Sequence, residues 1–179
     1  MRKIVISYGL TAAAISAVMW TGLALLMKNS VDYGSSMWVG YAAMLLSTFI
    51  IYFAMTNYRD NVNGGEIKFL KAALIGFYIS LIYAVLYVVS WTIISSILLP
   101  DYMDNYIANE IANIQNSNLP AAEMSEKLAE MENYKTMFKN PWTVAAFVFM
   151  EPWPVAIIVT LVSALIVSLK KKKQEVVIA

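Results

Sequence analysis

Glu151 is the one acidic residue inside four long stretches that are otherwise free of charge, and it sits in Met150-Glu151-Pro152-Trp153-Pro154. An acid in such a stretch is a functional candidate by default. Each proline lacks an N–H and clashes with the preceding turn, so a helix must break here, and the break frees carbonyls that a cation or water can satisfy. Two readings of Glu151 follow. In the structural one it pairs with Lys28, which ends the first stretch at a similar level, or it caps freed backbone N–H groups. In the other it is a cation or proton site together with Tyr83 or Tyr87. The structural reading is favoured, because transporters place their sites nearer the membrane midplane. Tyr83, Tyr87 and Trp91 recur at a spacing of four, one helical face whose polar tips need partners. Such a stripe is more often packing than a ligand box.

Other chemistry is narrowed by what the chain lacks. It has no Cys and no His, which removes disulfides, thiol nucleophiles, thiolate metal sites, the commonest general base and the commonest metal ligand. No nucleophile–base–orienter set is visible, so no enzyme is expected, and no metal or cofactor either. Gly64-Gly65 supplies positive φ for a tight turn between Asn57 and Lys71; without GxGxxG or GxxxxGK[ST] it is no phosphate cradle. The formal net charge is +1, so no basic excess points to nucleic acid.

The elements that must position these residues are membrane spans. Of the 179 residues 60% are hydrophobic and 14% charged, too few charges for an ordinary soluble domain. Ile4–Met27, Tyr33–Tyr58 and Ala72–Pro100 carry no charge, and Asn140–Leu169 carries only Glu151. Each exceeds the roughly 20 residues that cross a bilayer core. The prediction is an all-α membrane protein, one membrane domain over 1–179 with spans at about 4–27, 34–57, 69–99 and 141–169. The first is read as a retained span, since its apolar core is too long for a signal peptide and no small-x-small site follows. Nine of the thirteen cations (Arg2, Lys3, Arg59, Lys68, Lys71 and Lys170–Lys173) fall on one side, which predicts both termini in the cytoplasm. By a rise of about 1.5 Å per residue, Trp20, Trp38, Trp91 and Trp153 gather near the opposite interface as an aromatic belt. Thr92–Leu99 and Pro141–Met150 then project beyond the bilayer.

Between the third and fourth spans lies 101–139, with seven acids and three lysines, a net charge of −4. Met103, Ile107, Ile111 and Ile114, then Met124, Leu128, Met131 and Phe138, repeat with helical periodicity; Asn116-Ser117-Asn118 breaks the pattern and Pro120 suits a helix start. This predicts an external amphipathic helical hairpin. Its apolar stripe is expected to pack on the projecting ends of the spans. Asp104, Glu110, Glu123, Glu126 and Glu130 are the candidate partner surface, with a solvated face as the plain alternative. Within the membrane, Gly9, Ala13, Ala17 and Thr21 form one small-residue stripe and Ala72, Gly76, Ser80 and Ala84 another, both expected to serve close helix packing inside the chain.

Arg2-Lys3-Ile4 with Tyr8-Gly9, Tyr58-Arg59-Asp60, Gly64-Gly65 with Ile67, Phe69, Lys71 and Ala72, Lys139-Asn140-Pro141 and Met150-Glu151-Pro152-Trp153-Pro154-Val155 together resemble the bacterial membrane family called domain of unknown function 4199. The resemblance covers nearly the whole chain. It implies a four-span protein of the bacterial inner membrane with a helical external insertion, and it brings no activity. The function expected is that of a non-catalytic accessory or scaffold protein whose acidic hairpin is the contact surface, its partners being the lipid bilayer and a membrane protein or a second copy of itself. The alternative is a small homo-oligomeric cation or proton transporter or channel using Glu151.

Overall fold

The computed structural model describes residues 1–27 and 33–170. Among them are eight helices and no strand: α1 (Arg2–Met27), α2 (Tyr33–Thr48), α3 (Ile50–Asn61), α4 (Phe69–Leu98), α5 (Tyr102–Gln115), α6 (Ala121–Met137), α7 (Pro141–Met150) and α8 (Trp153–Leu169). Two pairs run on with only a short interruption, so four helical segments are long and apolar enough to cross a membrane: Arg2–Leu26, Trp38–Asn61, Phe69–Leu98 and Pro141–Leu169. They lie where the charge-free stretches put them. Leu10, Val18, Leu46, Leu70, Ile97 and Ile158 are exposed on their outward faces. A bundle as apolar outside as inside fits a multi-pass membrane protein.

The break in the second span was not legible as a motif. Ser47 and Thr48 turn their hydroxyls back onto the Ala43 and Met44 carbonyls at 2.7 and 2.8 Å, and the helix interrupts at Phe49. Back-bonding of this kind bends helices.

The 30-residue α4 is the central post, packing on α1, α8, α7 and α3. Its small residues do what their spacing predicts. Ala72, Gly76, Ser80 and Ala84 are all buried. A Cβ placed on Gly76 would lie 2.6 Å from both Met55 Cε and Thr160 Cγ2, so α3 and α8 close on α4 at this point. A Cβ on Gly9 would meet Ile82 Cγ2 at 2.9 Å, which makes the α1 stripe a contact with α4. Only its first half is fully used: Gly9 and Ala13 are buried, whereas Ala17 and Thr21 are half-buried.

At one end, the turn after α3 has Gly64 at φ 70° and Gly65 at φ 94°, the left-handed conformation expected of this pair. At the other, α5 and α6 make their one substantial contact with each other. The expected packing of the hairpin stripe on the span ends is therefore corrected. Ile107 and Ile114 on α5 are buried and Met124, Leu128 and Met131 on α6 half-buried, within the pair. Only its base reaches the spans, where Tyr102 stands edge-on to Trp91 at 5.6 Å and Phe138 lies 5.7 Å from Phe147. Two short amphipathic helices satisfy one another more completely than either satisfies a helix end.

The tryptophans of the expected aromatic belt differ in setting. Trp38 is exposed as an interfacial residue should be, but Trp20 is buried, edge-on to Trp91 at 5.0 Å and to Tyr87 at 6.1 Å. Gly40 on α2 leaves room for the Trp20 ring, which would touch a Cβ there at 3.4 Å. A ring with a neighbouring face of its own kind is core, whatever its depth.

Candidate functional site

The break at Glu151 positions the site. Pro152 and Pro154 withhold the N–H groups that a continuous helix would give to the Val148 and Met150 carbonyls. The interruption is nevertheless short. Glu151 stays helical at φ −57°, ψ −47° and donates its own N–H to the Phe147 carbonyl at 3.0 Å, while Pro152 accepts from Ala156 at 2.9 Å and opens α8. Proline is compatible with a helix's first turn, so the motif restarts the helix rather than unwinding it. Among the described residues no backbone N–H is capped by the Glu151 side chain. That carboxylate instead accepts a hydrogen bond from the Tyr87 hydroxyl, Oη to Oε2 3.1 Å.

The predicted stripe on α4 is thus partnered residue by residue. Tyr87, 1% exposed, takes Glu151; Tyr83, also 1% exposed, lies with its hydroxyl 3.4 Å from Ser16 Oγ on α1. The two tyrosine rings are 5.8 Å apart. Trp91, one turn further, joins Trp20 and Tyr102. The structure brings together Glu151, Tyr87 and Tyr83; Lys28, proposed as the counter-charge, lies outside the described residues. Among the described residues Glu151 has no ion pair.

Glu151 is also exposed, and it lines a cavity of about 460 Å³. The walls come from α1 (Trp20), α2 (Tyr41), α4 (Trp91), α5 (Tyr102), the start and length of the fourth span (Phe147, Val148, Met150, Pro154) and Phe138 after α6. Among the described residues Glu151 is the single charged one of that lining. Tyr83 and Tyr87 are packed beneath rather than opening into the space.

The chain matches the model of the family described as Protein of unknown function (DUF4199) over residues 7–168. It belongs to that family. No curated protein and no solved structure matches it. The matched range in this DUF4199 member contains every wall of the cavity and all of α5 and α6.

The candidate partner acids are placed differently. Asp104, Glu123, Glu126 and Glu130 are exposed and Glu110 half-buried, with one loose ion pair among them, Glu123 to Lys127 at 3.8 Å. Beside Glu110, partial burial foremost and then that carboxylate raise the Tyr106 phenol, keeping it neutral. No residue of α6 is buried.

Sequence reasoning missed Arg59. The charge count uses it only as one of the nine cations that set the orientation, yet it is buried at the end of α3, forked onto Asp60 (Nε–Oδ1 2.6 Å, Nη2–Oδ2 3.0 Å). Its Nη1 reaches the carbonyls of Lys170 at 3.0 Å and Val167 at 3.4 Å. A guanidinium there satisfies the open C-terminal carbonyls of α8 and meets the negative end of its dipole. The adjacent Arg59-Asp60 dipeptide is the only signal that pointed to it. Nearby, Lys71 Nζ bonds Asn63 Oδ1 at 2.9 Å and stands 5.0 Å over the Tyr58 ring, binding the turn to α4.

Proposed function

We propose that this chain is a non-catalytic accessory or scaffold protein of the bacterial inner membrane, with both termini cytoplasmic and α5–α6 outside as its contact surface. The observation that supports this is the helical pair itself. It carries a net charge of −4 over 101–139, buries no residue of α6, and makes its one substantial helix–helix contact within itself. A bundle does not need such a segment to pack; a partner with a basic face would use it. The test is co-purification from native membranes in a mild detergent. Replacing Asp104, Glu110, Glu123, Glu126 and Glu130 with their amides should release any bound membrane protein without changing the melting temperature. Retention of the same partners at full yield would count against this surface. Orientation is tested with Ser117→Cys and Asn61→Cys and an impermeant maleimide on intact spheroplasts: Ser117→Cys should label and Asn61→Cys should not.

A second reading, a small homo-oligomeric cation or proton transporter, draws on the open position of Glu151. It predicts a thermal shift on adding Na⁺, K⁺ or Ca²⁺ that Glu151→Gln abolishes.

A further inference from the structure

The cavity beside Glu151 has a chemistry that neither reading uses. We propose that it binds an alkylammonium group, carried by a small free amine or by a zwitterionic lipid headgroup, with Glu151 as counter-charge and Trp20, Trp91 and Tyr102 as an aromatic cage.

Three features carry the assignment. The first is the arrangement of rings. Trp20 and Trp91 meet at 68° with centroids 5.0 Å apart, and Trp91 and Tyr102 meet at 84° and 5.6 Å. Successive edge-to-face contacts turn the ring faces in different directions, so the three form a corner instead of a flat stack. All three line the cavity. Aromatic faces attract cations through their quadrupole, tryptophan most strongly, and the attraction grows when water is excluded.

The second is the charge. Glu151 is the one charged lining residue, and no cation sits on it among the described residues. Its Oε2 is held by Tyr87, which is itself buried, so the carboxylate is fixed in place, and among the described residues its other oxygen accepts no hydrogen bond. Among the described residues the carboxylate stands without a cation in a wall of rings, and a ligand that pairs with it there carries a positive charge and apolar substituents.

The third is the size and the shortage of oxygen. At about 460 Å³ the space lies within the range of small-molecule pockets and exceeds what a bare ion fills. Hard inorganic cations take six or more oxygen ligands. The lining offers one carboxylate and the phenols of Tyr41 and Tyr102, and among the described residues no three acids gather. Rings in place of oxygens select an organic cation over Na⁺ or Ca²⁺. Tyr102 and Met103 at the start of α5 also line the cavity, so the helical pair that forms the proposed contact surface supplies part of one wall of the site.

The experiment uses the full chain purified in a maltoside detergent, which has no ammonium group. Intrinsic tryptophan fluorescence and thermal shift are followed on titration with tetramethylammonium, choline and ethanolamine, against NaCl at equal ionic strength. Saturable quenching and a raised melting temperature with an organic cation are expected. Glu151→Gln should abolish both, and Trp91→Leu should weaken binding about tenfold. Tyr102→Leu supplies an independent cage variant should Glu151→Gln melt too low to titrate. The two sources are separated in nanodiscs by native mass spectrometry. Selective retention of phosphatidylethanolamine or phosphatidylcholine over phosphatidylglycerol assigns the group to a lipid; response to the free amine without lipid preference assigns it to a soluble ligand. Equal responses to NaCl and tetramethylammonium, or an unchanged response in Glu151→Gln and both cage variants, would overturn the assignment. None of these outcomes depends on whether α5–α6 captures a partner.

Discussion

The two halves of α4 are built on the same four-residue repeat and reach opposite ends. Ala72, Gly76, Ser80 and Ala84 let neighbouring helices in until a single added carbon would collide. Tyr83, Tyr87 and Trp91 hold them apart, and a cavity with one carboxylate opens above the two tyrosines. Periodicity selects which face of a helix is shared; the volume of the residues on that face decides whether the shared space is filled or hollow. A membrane bundle gains little from hiding apolar surface, since lipid is as apolar as its interior. The tight half therefore supplies the close dispersion contact that holds the bundle, which lets the other half remain open.

The largest effect is expected in the tight half. Gly76→Leu drives a side chain into Met55 and Thr160, where even a Cβ stands at 2.6 Å. Overpacking of this kind costs about 1–3 kcal/mol, and the upper end is expected because two helices must move. Thermal melting in detergent reads it. A melt equal to wild type would show that the halves do not differ in closure. Arg59→Ala comes next. It removes a charged donor from the Lys170 and Val167 carbonyls and leaves Asp60 without its fork. Hydrogen bonds to charged groups contribute about 1.5–3 kcal/mol. The loss should appear first as faster amide exchange at the end of α8, and Arg59→Lys should restore only part of it, since an ammonium cannot fork onto the Asp60 carboxylate.

How far these differences were legible is uneven, and the reason is physical. The spans and the turn at Gly64-Gly65 follow from charge-free length and from backbone conformation, which are local properties. The Gly76 contact was also foreseeable, because small residues at helical spacing have few other uses inside a membrane. The break at Phe49 was not, since Ser47 and Thr48 bond the backbone in straight helices as well. The inward turn of Trp20 was not legible, because depth along a helix says nothing about which way a ring points. Glu151 was recognised as the outlier and Tyr87 as a residue in want of a partner, but their meeting required α4 and the fourth span to be set side by side. The cavity is a property of six segments of the chain and had no sequence signal at all.

The open half should respond more mildly and in a definite order. Glu151→Gln keeps an acceptor for the Tyr87 hydroxyl, whereas Glu151→Ala leaves that buried hydroxyl unpartnered. The expected stability order is wild type, then Gln, then Ala, with the last step about 1 kcal/mol, at the low end of the penalty for an orphaned buried donor. If Gln proved as unstable as Ala, the negative charge rather than the hydrogen bond would be what the fold needs.

The smallest effect is expected where the halves meet. Tyr83 lies one turn below Tyr87, and its hydroxyl is 3.4 Å from Ser16 Oγ, a long contact between two neutral groups. Interhelical hydrogen bonds inside membranes average about 0.6 kcal/mol, because the alternatives in the bilayer also find partners. Tyr83→Phe and Ser16→Ala should each cost no more than that. Their double variant should cost little beyond either one alone, since the second change removes a group whose partner has already gone. Neither should alter tryptophan quenching by tetramethylammonium, because Tyr83 belongs to the floor beneath the cavity and not to its lining. Tyr87→Phe should alter it, by freeing the Glu151 carboxylate from its one fixed donor. A Tyr83→Phe variant that lost quenching as fully as Tyr87→Phe would mean that the boundary between closed and open halves lies a turn lower on α4 than the ring positions indicate.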